Sequence, residues 1–143
     1  MCLRVTLLSV VLLACGGGQK DFAVKGNDNE LVRLAGEWKG DYKSNETGRS
    51  GPVTFSLQVG QHTAEGEILM SGTTPLKIEF VQVKSGQVRG TIGPHPDPGC
   101  SCQVETSFLG TLAGDTLSGT FETKLGATGQ VQTGAWTVTR QAR

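Results

Sequence analysis

The residues best equipped for chemistry crowd into one stretch, Gly93-Pro94-His95-Pro96-Asp97-Pro98-Gly99-Cys100-Ser101-Cys102. Two thiols in a C-x-C spacing stand close to an imidazole and a carboxylate. Three chemistries fit. Cys100 and Cys102 can close a disulfide, as exported chains meet an oxidising environment; the ring is small, so loop closure contributes little stability. The two thiolates with His95 can instead offer soft ligands to copper or zinc, although one C-x-C is a weaker metal signature than two. The pair can also act as a redox couple. Three prolines at alternate positions fix φ and remove N–H donors, so residues 93–99 read as a stiff, exposed, non-helical loop. Elsewhere chemistry is sparse. His62, the other histidine, lies beside a turn, and Glu65 and Glu67 share the outward face of a strand. No Ser-centred elbow, His-Glu-x-x-His, phosphate-cradling loop or dinucleotide motif occurs, and the chain reads as non-enzymatic.

The remaining cysteines, Cys2 and Cys15, belong to the N-terminus. Arg4 gives a positive start, Val5 to Leu13 form an apolar run broken by Thr6 and Ser9, and Ala14 precedes Cys15. These are the three parts of an export signal. The run is far shorter than the roughly 20 residues that span a bilayer as a helix. Leu12-Leu13-Ala14-Cys15 resembles the lipobox of bacterial lipoproteins, with an aliphatic residue three positions before the cysteine and a small one just before it. The resemblance implies that residues 1–14 are a signal peptide cut before Cys15. It also implies that the Cys15 thiol receives diacylglycerol and the new amine a fatty acyl chain such as palmitate. That lipid is the sole covalent group expected, with no separate cofactor. Several chains on one residue give stable membrane attachment where one gives only marginal binding. Gly16 is not the Asp that favours inner-membrane retention in enterobacterial lipoproteins, which tilts the expectation toward the outer membrane of the cell envelope.

Gly16 to Glu30 is glycine-rich and polar, so residues 15–30 read as a lipidated flexible tether. Charge is balanced at 13 basic against 13 acidic residues, and removal of Arg4 with the leader leaves 12 against 13, a net of −1. There is no basic field for nucleic acid.

What must position the Cys-containing segment is a run of strands. From Leu34 the apolar period is two. Leu34, Gly36, Trp38, Gly40 and Tyr42 share one face, and Val53, Phe55, Leu57 and Val59 the next. Alternation recurs near 63–70, 75–83, 87–93, 102–112, 115–123 and 132–140, making eight strands with turns such as Ser71-Gly72, Ser85-Gly86 and Gly114-Asp115. On the apolar face a glycine repeatedly precedes a large residue by two, at Gly36, Gly66, Gly90, Gly110, Gly119 and Gly134. Inward glycines let strands coil and make room for large neighbours in small barrels. Residues 31–143 are therefore expected to form an all-β, eight-stranded antiparallel up-and-down β-barrel, with a β-sandwich as the alternative.

Gly36-Glu37-Trp38 on the first strand, with Arg140 on the last, resembles the lipocalin and avidin superfamily of ligand-binding barrels. There a Gly-x-Trp packs beneath a basic residue near the barrel's end. The resemblance implies such a packing for Trp38 and Arg140, with Trp136 beside them. The barrel reads as either filled by its side chains or hollow. If hollow, its apolar lining predicts an apolar guest, with Trp38, Tyr42, Trp136 and Arg140 as candidate contacts. The leading expectation is a lipid-anchored envelope protein that binds a small apolar molecule or a protein partner. Metal handling or redox work through His95, Cys100 and Cys102 is an alternative. Inhibition of secreted proteases through the 93–99 loop is another.

Overall fold

A computed structural model describes residues 20–142; the leader and the lipobox, Cys15 included, lie outside the described residues. The chain runs β1 (Lys20–Lys25), α1 (Asp28–Leu34), β2 (Gly36–Ser44), β3 (Ser50–Leu57), β4 (Thr63–Met70), β5 (Thr74–Leu76), β6 (Ile78–Lys84), β7 (Gln87–Asp97), β8 (Cys102–Ala113), β9 (Thr116–Leu125) and β10 (Val131–Arg140). All strands join one sheet that closes on itself, so the sandwich alternative falls away.

The barrel has nine strands, not eight, with β5 outside the ring. The ninth is β1, which lies in the stretch expected to be a loose tether. It pairs antiparallel with β4, Lys20 opposite Gly66 and Ala23 opposite Thr63, and parallel with β6, Ala23 opposite Phe80. One parallel pair is a geometric necessity, because strand direction cannot alternate all the way round a ring of odd number. β1 fills a wedge. The stretch expected as one strand over 75–83 is split: β5 pairs with the far half of β4, and after Lys77 the chain peels away as β6. β1 enters that gap and buries Phe22 and Val24, 5% and 2% exposed. Closure leaves no long edge of unpaired backbone.

α1 follows at once and covers one end of the barrel. Asn27 caps it by accepting the Glu30 N–H at 2.9 Å, and Glu30 reaches back to the Ser85 N–H of the β6–β7 turn. Its two buried residues, Leu31 and Leu34, point into the core. A helix of 7 residues is too short to be stable by itself, so packing on the barrel holds it.

Two further expectations are corrected. β3 ends at Leu57, and Val59 is 66% exposed in the following turn. The proline-rich stretch is not a protruding loop. β7 bulges after Ile92 and then resumes, pairing His95, Pro96 and Asp97 with Val104, Gln103 and Cys102 of β8, so only Pro98 to Ser101 turn. The prolines are tolerated because their missing N–H groups fall on positions a bulged strand end can spare.

The inward glycines have a steric reason. Gly66 stands directly across from Phe55, Gly90 from Phe108, Gly119 from Trp136 and Gly134 from Phe121. A Cβ on Gly134 would lie 2.2 Å from the Phe121 ring and 2.4 Å from the Lys43 carbonyl oxygen. The rings of Phe22, Phe108, Trp136 and Phe121 lie over the bare backbone of Gly66, Gly90, Gly110 and Gly134, while Gly119 meets the backbone of Leu109 and Gly110, and large aromatics thus pack into a tightly coiled wall. Gly134→Ala is expected to cost about 3 kcal/mol, since both ring and backbone must yield, and urea denaturation measures it.

Candidate functional site

The two ends of the barrel differ. At the base Trp38 is fully buried and donates its Nε1–H to the Leu34 carbonyl at 2.8 Å. Arg140 pairs with Trp38 in the β10–β2 register, and its guanidinium lies 4.5 Å from the ring centroid. The same guanidinium donates to the carbonyls of Ala35 and, at 2.6 Å, Arg33, and to the Asp115 carboxylate at 2.8 Å. It thus ties the end of α1 to the last strand. Gly36 has φ +126°, and a Cβ there would come within 3.1 Å of Arg140 Nη1, so this backbone and this stacking both require glycine. The cation–π contact contributes about 0.5–2 kcal/mol. Arg140→Lys keeps the charge but loses the fork of donors. It is expected to cost about 1–2 kcal/mol, read as a lowered melting temperature.

Above this floor lies a cavity of about 120 Å³, lined overwhelmingly by apolar side chains from Leu34 at the base to Thr47 at the opposite end. Thr47 is exposed, so the cavity reaches the surface there. Of the four candidate contacts, Tyr42 and Trp136 line it; Trp38 and Arg140 do not, and form the floor beneath. Phe108 meets Trp136 edge to face at 5.9 Å, and Phe121 meets Tyr42 likewise at 5.9 Å, so much of the wall is aromatic. The wall also contains one hydroxyl pair, Thr106 and Thr123, bonded to each other at 2.7 Å.

Polar groups gather at the mouth. Arg49, just before β3, makes a two-pronged ion pair with Asp97 at the end of β7, at 2.8 and 3.1 Å. On the nine-strand ring, β4, β1 and β6 lie between β3 and β7 on one side, and β8, β9, β10 and β2 on the other. The pair therefore reaches across the opening. Its footing on the β2–β3 loop is firm: Glu46 accepts from Thr133 N–H at 2.8 Å, and Asn45 bonds to Thr133 twice. Its other footing is the β7–β8 turn, where Asp97 also accepts the Gly99 N–H at 2.7 Å and its carbonyl accepts the Ser101 N–H at 2.9 Å. Cys100 and Cys102 are disulfide-bonded within that turn, their Cα atoms 5.2 Å apart. No family model, curated protein sequence or solved structure matches this chain. The site must be read from its own atoms.

Among the described residues no group of three His, Cys, Asp or Glu side chains stands together in a way that could hold an ion, and the sulfurs of Cys100 and Cys102 are bonded to each other. His95 turns its Nδ1 toward the Gly93 carbonyl, 3.1 Å away, and lines the cavity mouth. The sequence had marked Asp97 as chemically interesting but gave no partner for it. Arg49 was missed altogether.

The pair sets a pH dependence. Hydrogen bonds from Arg49 hold the Asp97 carboxyl below its ordinary value, with the Gly99 N–H and the charges of Arg49 and His95 adding to this against the cost of burial. Burial raises the Tyr42 phenol, partly offset by its bond from Ser71 N–H. A carboxyl depressed in the folded state stabilises the fold above its unfolded pKa, about 3.9, and that stability is lost as pH falls through the folded value. Asp97→Asn is expected to cost about 1–3 kcal/mol at neutral pH. In urea midpoints measured between pH 7 and pH 2, the gap to the parent chain should shrink below about pH 4.

Proposed function

We propose that this chain is a non-enzymatic, lipid-anchored carrier that holds a small apolar molecule inside its barrel at the cell envelope. The apolar cavity, closed below by α1, Trp38 and Arg140 and open above beside Thr47, is the observation that supports the reading. Binding sites of this kind are concave, apolar and edged by a few polar groups. Gly-x-Trp on β2 and an arginine over the indole also favour kinship with the lipocalin and avidin barrels. The anchor follows from Leu12-Leu13-Ala14-Cys15 and the apolar leader before it. Among the described residues no helix is long and apolar enough to cross a membrane.

Size limits the guest. A dry apolar cavity of about 150 Å³ accepts benzene, so this one suits a single ring or a short branched chain. A ligand that binds the folded state alone raises its stability by about 2.7 kcal/mol at a hundredfold excess over Kd. Toluene at saturation should therefore raise the melting temperature by several degrees and alter Trp136 fluorescence, whereas a sugar of similar mass should do neither. Absence of any shift with toluene, ethylbenzene or cyclohexane would remove the carrier reading.

A further inference from the structure

From the mouth of the cavity we infer that the guest is an aromatic carboxylate of one ring, with the ring among the wall aromatics and the carboxylate on Arg49. The inference rests on the carrier reading and adds a chemical class to it.

The charged groups at the mouth differ in the hydrogen-bonding capacity they have to spare. Asp97 and Arg49 are the two oppositely charged residues of the lining, and they are not equivalent. Asp97 is 8% exposed, and both its oxygens are engaged, Oδ1 by Arg49 and Gly99 and Oδ2 by Arg49. Arg49 is 20% exposed and directs Nη1 to Asp97 and, at 3.6 Å, to the Met70 sulfur, and Nη2 to Asp97. A guanidinium has five N–H donors. Among the described residues the Nε–H and one Nη2–H of Arg49 have no partner. The mouth can thus receive an acceptor on two donors, while its carboxylate, 8% exposed, already accepts three hydrogen bonds and keeps one lone-pair site, on Oδ2, for a cationic guest. An anion would meet a charge-assisted, two-pronged donor. Asp97 already occupies one edge of that fork, so the protein's own carboxylate marks how a second one would be held.

The body of the guest follows from the wall. Tyr42, Phe108, Phe121 and Trp136 surround the cavity, with Tyr42 and Phe121 toward Arg49's end. Ring edges and faces already meet at right angles there, a geometry that a further ring extends. A cavity of about 120 Å³ has no room for a long acyl chain. Ring and head must lie close together, as in phenylacetate or benzoate.

The test compares phenylacetate with toluene on the intact folded chain, by calorimetry and by quenching of Trp136. Phenylacetate should bind at least about tenfold tighter, as a charge-assisted pair at a half-dry mouth warrants. Arg49→Met should erase that advantage, so that phenylacetate and toluene bind the variant within about twofold of each other. If Arg49→Met fails to fold, Asp97→Asn serves: freeing the fork should strengthen phenylacetate several-fold relative to toluene. Equal affinities for phenylacetate and toluene, or tighter binding of phenethylamine, would overturn the assignment while sparing the carrier reading. Failure of all three to bind would overturn both.

Discussion

A chain beginning at Gly26 is expected to lose the cooperative unfolding of the full barrel, or to melt at least about 15 °C lower. β1 satisfies two strand edges at once, β4 on one side and β6 on the other. Removing it uncovers both rows of backbone N–H and C=O groups and forfeits the burial of Phe22 and Val24, about 1.5–3 kcal/mol for each side chain. Domains of this size have about 5–15 kcal/mol in hand, so the loss takes a large share. The opened seam is also a template for pairing with a second chain, and aggregation should accompany the destabilisation. A chain beginning at Lys20 is the control and should melt as the full-length protein does. Equal melting of the two shortened chains would mean that β1 does not close the barrel.

The reason β1 escaped a reading of the sequence is physical. Lys20 to Lys25 does alternate, but it carries only two large apolar side chains, Phe22 and Val24, among charged neighbours. Its local signal is that of a solvated linker, and its pairing with β4 and β6 is tertiary. α1 was similarly hidden by its brevity, although Asn27 followed three residues later by Glu30 is a capping signal. The later strands were legible, apart from the split of the 75–83 stretch into β5 and β6, because inward and outward residues alternate over longer spans, and the recurrent glycine two residues before a large side chain announced the coiled wall. Register was not legible. That Gly134 faces Phe121 depends on the turn between β9 and β10, where Gly129 takes a positive φ and the Leu125 N–H bonds to the Gln130 carbonyl; the packing of Arg140 on Trp38, by contrast, was expected from Gly36-Glu37-Trp38 and Arg140. The mouth was the least legible part. Arg49 and Asp97 are 48 residues apart and meet only because the ring brings β3 and β7 to facing sides.

The other large effect concerns the membrane. With Cys15→Ser the chain should move almost wholly from the membrane fraction to the soluble one, since the proposed anchor is the lipid on that sulfur and each buried methylene contributes about 0.8 kcal/mol. The fold adds a direction to this attachment. β1 runs antiparallel to β4, so going backward from Ala23 to Lys20 moves from Thr63 toward Gly66 and on toward Met70, which borders the mouth. Five residue steps separate Lys20 from Cys15, and five steps reach at most about 18 Å. The proposed anchor at Cys15 would therefore hold the barrel close to the bilayer on its open side. A guest of the proposed class, apolar with a carboxylate, would collect at the surface of that bilayer, facing Arg49. Nitroxide labels on Thr128→Cys, in the mouth-side turn between β9 and β10, and on Asp115→Cys, in the base-side turn between β8 and β9, report the orientation. Collision with a lipid-soluble relaxant should be greater for the label at 128 than for the one at 115. Equal collision rates would separate anchoring from orientation, leaving the lipid in place and the mouth free to face either way.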